Sequence, residues 1–166
     1  MVVARGSGDI QTKQKFGDVQ LHIEWMGPAL PADKVNQDRA NSGVFLQDIY
    51  EVQVHANFEN PTYVNGMLGS MYKQFPPLVN TTRPPETWNV YDIVFTSPRF
   101  NADGSLASPA RLTVLLNGVL VQNNAILKGA TTYIGAPSYI AHGDMPIRLQ
   151  DHGHLVRFRN IWLRKL

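Results

Sequence analysis

The sequence predicts an all-β protein folded as a two-sheet jelly roll, and three observations carry that expectation. Short segments alternate apolar and polar residues with a period of two, as in Val19-Gln-Leu-His-Ile-Glu-Trp25. Glycine, proline and asparagine punctuate the chain between those segments. No segment sustains the 3.6-residue apolar period that a packed helix needs. Roughly nine to eleven strands emerge from this reading, and a sandwich closes that number more readily than a barrel.

Taken in order, residues Gly6 to Lys15 are polar and short, and the first clear strand runs from Val19 to Trp25. Its Leu21, Ile23 and Trp25 share one face, and Gln20, His22 and Glu24 share the other. From Gly27 to Asn41 the chain carries Pro28, Pro31, Asp33, Asn36, Gln37, Asp38 and Arg39, which predicts a long loop of the kind that often carries function. Asn41-Ser42-Gly43 turns into Val44 to Gln47, and Asp48 leads into a strand from Ile49 to His55. There Tyr50, Val52 and Val54 are expected in the core, with Glu51, Gln53 and His55 in a row on the opposite face. Residues Ala56 to Thr87 read as a long folded loop with a short strand near Leu68 to Tyr72, its aromatic residues forming a small core of their own. Trp88 to Thr96 is apolar on both faces except at Asp92, which predicts a central strand. Asn117-Gly118 predicts a type I′ hairpin between Ala110–Leu116 and Val119–Asn123. The last two strands are expected over Pro146–His152 and Leu155–Leu163, joined through Gly153.

Composition narrows the function classes. With 166 residues, 43% of them hydrophobic and 17% charged, residues 1–166 fit one domain with a sizeable core. The formal charge is +2, with basic residues gathered at Arg157, Arg159, Arg164 and Lys165, so nucleic acid is not an expected partner. No apolar run approaches the ~20 residues of a membrane span. Cysteine is absent, which excludes disulfides and thiolate metal sites. The opening MVVARGSGDI has no signal-peptide segment, so the sequence reads as a cytoplasmic chain or as a mature or trimmed form.

The strings NSGVFLQDIYEVQV, TWNVYDIVFTSPRF, LTVLLNGVLVQN and IRLQDHGHLVRFRNIWLRKL together resemble the domain-of-unknown-function 1080 family, also called the 3-keto-disaccharide hydrolase domain. The resemblance runs in order from about Gly8 to Leu166. It implies a concanavalin-like jelly roll of two antiparallel sheets, related to laminarinase-type glucanases and lectins and usually exported, hence a periplasmic or extracellular location. It also implies carbohydrate substrates, in particular glycosides of sugars oxidised to a 3-ketone. Members of the family usually begin with an upstream segment that is missing before Gly6, which would leave a sheet edge open to pairing with another copy.

In such sandwiches one sheet lines a groove for sugar rings. The polar strand positions projected onto it are His22, Glu24, Gln47, Glu51, Gln53, His55, Asp92, Gln150 and His152, with Trp25, Tyr72, Trp88 and Tyr139 as rings. Ordinary glycoside hydrolysis needs two carboxyl groups. The laminarinase-type Glu-x-Asp-x-x-Glu strand reads Glu51-Val-Gln53-Val-His55 here, so a second carboxyl would have to come from Glu24 or Asp92. A 3-keto glycoside asks for less, because the ketone acidifies the C2 proton and a single base can start elimination. Glu51 or His152 is the expected base, with Gln53, Gln150 and Arg157 holding the sugar and the enolate. Metal ligation by His152 and His154 lacks the ligand count of a known site, and calcium held by Asp33, Asp38, Asp103 or Asp144 is left open. A non-catalytic carbohydrate-binding module and a structural domain are the competing readings, since fold alone does not choose among them.

Overall fold

The structure is a computed structural model that describes residues 1–3, 5–29 and 33–166. Pro31, within the loop expected from Gly27 to Asn41, lies outside the described residues. The elements in chain order are β1 (Ile10–Gln11), β2 (Val19–Met26), β3 (Ser42–Leu46), β4 (Tyr50–Val54), a single 3₁₀ turn (Val64–Gly66), β5 (Asn89–Thr96), β6 (Arg99–Phe100), β7 (Leu106–Ser108), β8 (Arg111–Leu116), β9 (Val119–Ile126), β10 (Arg148–Leu149) and β11 (Arg157–Lys165). One antiparallel sheet has the order β1-β10-β3-β4 and the other β11-β2-β5-β8-β9, with β6-β7 as a separate ribbon. This is the expected jelly-roll sandwich, and no helix among the described residues is long and apolar enough to cross a membrane.

The apolar halves of the alternating strands meet between the sheets. Val44, Leu46, Tyr50, Val52 and Val54 of the four-stranded sheet share a core with Leu21, Ile23, Trp25, Tyr91, Ile93, Phe95, Leu112, Val114 and Phe158 of the five-stranded one. The Tyr91 hydroxyl, fully buried, donates to the Gln53 carbonyl oxygen at 2.6 Å and ties the two sheets together behind β4. Asn117 and Gly118 both have positive φ (54° and 81°), the backbone of a type I′ hairpin.

Several boundaries differ from the sequence reading. The strand expected near Leu68 to Tyr72 is one bridge, Val52 to Met71, flanked by backbone bonds Gly69 N–H to Gln53 O (3.1 Å), Gln53 N–H to Ser70 O (3.0 Å) and Tyr72 N–H to Glu51 O (3.2 Å). Positive φ at Gly69 (78°) and Lys73 (62°) bends the backbone on either side, so the segment borders β4 without becoming a regular strand. Of Pro146 to His152 only Arg148–Leu149 is extended into a strand. The β3–β4 connection runs through Gln47 and Asp48, both at positive φ (50° and 59°), which turns Gln47 out of the alternation.

Candidate functional site

Directly paired residues of antiparallel strands place their side chains on the same face. The register Arg148↔Phe45↔Glu51 therefore sets those three side chains in one row on the outer face of the four-stranded sheet, and the Val52–Met71 bridge adds Tyr72 beyond Glu51. A second row holds Gly43 opposite Gln53, with Gln150 beside Gly43 through its N–H to the Gly43 carbonyl (3.0 Å). Above these rows lies a cleft of about 430 Å³ lined by Gln37, Asn41, Phe45, Glu51, Gln53, Tyr63, Tyr72, Thr131, Tyr133, Gln150 and His152. Its floor comes from regular strands and its walls from loops.

Glu51 is the only carboxylate among the described residues of that lining. It is 5% exposed, and a Cβ at Gly43 would stand 2.5 Å from its Oε1, so the absent side chain at 43 is what gives the carboxyl its seat. The Glu51 N–H donates to Thr131 Oγ1 (2.9 Å), while the carboxyl itself makes no hydrogen bond among the described residues. Burial pushes its pKa up to about 8, against an opposing pull from Arg148. Burial outweighs that pull. Arg148 stacks over the Phe45 ring at 3.6 Å and its guanidinium is clamped between Asp9 and Asp48. The cation is already neutralised where it stands.

The neighbouring amides are fixed in direction. Gln53 Nε2 donates to Asn41 Oδ1 (3.0 Å) and Gln37 Oε1 (3.3 Å), and Gln37 Nε2 donates to Thr62 Oγ1 (2.8 Å) and the Gly66 carbonyl (3.1 Å). The Oε1 atoms of Gln53 and Gln150 are buried without a partner among the described residues. Unpaired buried acceptors are uncommon and costly, so two of them on one cleft wall mark a place where donors from a ligand would be accommodated.

Of the residues singled out in the sequence, the cleft gathers Glu51, Gln53, Gln150, His152 and Tyr72. It does not gather the others. Glu24 and Asp92 face outward from the five-stranded sheet, across the core: Asp92 accepts from His22 Nδ1 (2.6 Å), and Glu24 takes hydrogen bonds from Arg159 (2.6 Å) and Asn160 (2.8 Å). Trp88 lies under the Arg159 guanidinium at 3.9 Å, and Arg157 pairs with Met26 on the same sheet. Trp25 is a core residue, and Tyr139 donates to the Leu127 carbonyl away from the cleft. Gln47 is buried between the Phe16 carbonyl (3.0 Å) and Ser97 Oγ (3.0 Å). His55 is fully buried just past the end of β4, where burial lowers its pKa to about 4 and neither ring nitrogen has a well-formed hydrogen bond among the described residues. His152 is exposed at the cleft rim and its ring stacks on that of His154, 6.3 Å away across Gly153 (φ 77°), while His154 Nε2 faces Asp38 (3.2 Å). No group of three or more His, Asp or Glu converges as a metal site among the described residues.

Gln37, Asn41, Tyr63, Thr131 and Tyr133 belong to the lining and were not singled out. They sit in loops distant in sequence; Gln37 and Asn41 fall in the Gly27–Asn41 loop whose composition predicted function, and Tyr63 in the loop from Ala56 to Thr87 with its spaced aromatic residues. A second depression, about 450 Å³, lies near Asp18, Arg99, His142 and Lys165. Two of its polar groups are already engaged, Arg99 with Asp18 (2.7 Å) and His142 with the Tyr50 hydroxyl (2.8 Å).

Fold and site together define a jelly-roll sandwich with a polar, tyrosine-walled cleft over a single buried carboxyl. The chain belongs to the 3-keto-alpha-glucoside-1,2-lyase-like domain family, which matches residues 1–164. It is similar, at 51% identity and TM-score 0.96, to a candidate glycosyl hydrolase of known crystal structure from Parabacteroides distasonis, over 99% of this chain and 71% of that one. Two further candidate glycosyl hydrolases from the same organism share the fold at 18% identity: TM-score 0.66 over 97% of this chain and 85% of that one, and 0.63 over 95% and 76%. None of the curated proteins compared matches the chain.

Proposed function

We propose that the protein cleaves glycosides whose sugar carries a ketone at C3, by base-initiated elimination. The observation that carries this reading is the solitary, buried Glu51 carboxyl on the cleft floor. Two-carboxyl hydrolysis needs a partner about 5–10 Å away, and no second carboxylate stands among the described lining residues. A single base with a pKa near 8 suits removal of a carbon-bound proton made acidic by an adjacent ketone.

In this reading the Glu51 carboxylate takes the C2 proton and the electron pair moves onto the C3 oxygen as an enolate. Collapse of the enolate restores the ketone, forms the C1–C2 double bond and breaks the C1–O bond. The departing oxygen receives a proton, for which His152, exposed at the rim, is the candidate donor. Addition of water at C1, with return of a proton to C2, would make the net reaction a hydrolysis. Gln53 and Gln150 offer carbonyl acceptors to the sugar hydroxyls, and the phenol rings offer apolar faces.

The test is product analysis by mass spectrometry with a disaccharide, its 3-keto derivative and a soluble β-glucan. Cleavage of the keto compound alone is expected. Cleavage of the plain glucan would overturn the elimination reading. No cleavage of any of them, with a sugar-dependent rise in melting temperature, would make the protein a binding module. Gly43→Ala gives a second check: a methyl group there displaces the Glu51 carboxyl, and turnover of the keto compound is expected to fall about 10²-fold, because small misplacements of a catalytic group are that costly.

A further inference from the structure

An enolate needs hydrogen-bond donors aimed at its oxygen, and the cleft holds few. The Gln53 amide N–H groups are engaged by Asn41 and Gln37, and the Gln37 amide by Thr62 and Gly66. Arg148 is held by Asp9 and Asp48. Arg157, expected from the sequence to steady the enolate, is on the other sheet. With His152 assigned to the leaving group, what remains among the described lining residues are the Gln150 amide and the hydroxyls of Thr131, Tyr63, Tyr72 and Tyr133.

Among these Tyr72 stands opposite Glu51. Its backbone N–H donates to the Glu51 carbonyl (3.2 Å), and the Val52–Met71 bridge directs both side chains to the cleft face. The C2 proton and the C3 oxygen of a keto sugar sit on adjacent carbons, so base and donor must be close neighbours, as a cross-strand pair is. The Tyr72 hydroxyl is 2.7 Å from that of Tyr63, and either oxygen can be the donor; when a substrate oxygen takes the Tyr72 hydrogen, Tyr63 donates to Tyr72, and such a chain of two phenols strengthens the terminal donor. The arrangement is built into the loop. A Cβ on Gly66 would fall 2.0 Å from the Tyr63 ring, so that ring needs glycine beneath it, and the Lys73 ammonium lies 4.1 Å from the Tyr63 ring centre and 4.8 Å from that of Tyr133.

Resting on the reading above, we propose that Tyr72, backed by Tyr63, donates a hydrogen bond to the C3 oxygen and stabilises the enolate formed when Glu51 takes the C2 proton. The geometry makes Tyr72 a catalytic residue and Tyr63 a positioning residue. Burial raises the pKa of both phenols, which keeps them protonated as donors across the working range.

The experiment separates enolisation from cleavage by using a 3-keto sugar with no leaving group, 1,5-anhydro-3-keto-glucitol. Exchange of its C2 proton for deuterium in D₂O is followed by NMR, beside cleavage of a 3-keto disaccharide. Tyr72→Phe is expected to slow exchange and kcat for cleavage together by about 10²-fold, with KM changed only a few-fold. Tyr63→Phe should slow both by about tenfold, and it carries the test should Tyr72→Phe fail to fold. Exchange at the wild-type rate in Tyr72→Phe, with cleavage slowed, would overturn the proposal and move Tyr72 to the leaving group. Both rates unchanged would overturn it outright. A wild-type protein that cleaves the disaccharide without exchanging the glucitol would overturn enolate stabilisation while leaving the function standing. One that does neither would remove both.

Discussion

Glu51→Gln is expected to lower kcat/KM for a 3-keto glycoside by about 10³-fold or more, with little change in KM. The substitution keeps the size of the side chain and its seat over Gly43, so the cleft keeps its shape and the sugar keeps its acceptors on Gln53 and Gln150. What is lost is the only carboxylate among the described lining residues, the proposed base. In the wild type the rate should climb about tenfold per pH unit below a break near pH 8 and level off above it, because only the ionised carboxyl is a base. Steady-state kinetics across pH 5–10 check both statements. A variant that retains wild-type activity would pass the role of base to His152.

The same carboxyl is expected to weaken the fold on the alkaline side, by an amount on the order of 4–5 kcal/mol at full extent. The Glu51 pKa is about 8 in the folded protein, against an ordinary value of 4.5. Below 4.5 the group is protonated in both states. Between 4.5 and about 8 the unfolded chain releases a proton that the native protein retains, so stability falls by ~1.4 kcal/mol per pH unit; above 8 the loss levels off. His55 acts in the opposite sense. Its pKa falls to about 4 from 6.5, so unfolded chains bind a proton in that interval that native ones do not, and stability rises with pH there. The two slopes oppose one another from about pH 4.5 to 6.5, leaving a plateau, and the Glu51 slope runs alone from 6.5 to 8. Urea denaturation at pH 4, 6 and 8.5 should find Glu51→Gln close to wild type at the lowest pH and more stable by several kcal/mol at the highest. Equal stability at pH 8.5 would mean that the carboxyl ionises without cost in the folded protein.

Alternation made the strands and the core legible, because a period of two needs nothing beyond neighbouring residues. It also placed Glu51 and Gln53 on one face and Tyr50, Val52 and Val54 on the other. It could not say to which sheet a face belongs. Glu24 and Asp92 alternate as cleanly as Glu51, yet β2 and β5 pair in the opposite sheet, so three carboxylates that look equivalent in sequence lie on two sides of the core. The row ended sooner than the alternation suggested: Gln47 turns away at positive φ, and His55 passes beneath polar loop residues. The cleft walls were hidden for a different cause. Tyr63, Thr131 and Tyr133 reach Glu51 only through loop conformations set by contacts distant in sequence, and they cover the outer face of β4 while its inner face packs in the core. Arg148, the basic side chain in the row of Glu51, stood in a short strand whose partners no local pattern announces.

The clamp on Arg148 gives the cleft a tuning point outside itself. Asp9 and Asp48 lie outside the lining, yet they set two negative charges against the Arg148 cation, the one positive charge that pulls the Glu51 pKa down. Asp9→Asn or Asp48→Asn would remove one of those negative charges, and the break in the pH–rate profile should move to lower pH while the limiting rate drops, since a carboxylate that ionises more easily is a weaker base. An unmoved break would show that the cation is screened from the floor. The operating range of the site could then drift with changes in β1 or in the β3–β4 turn, while every residue that meets the sugar stays as it is.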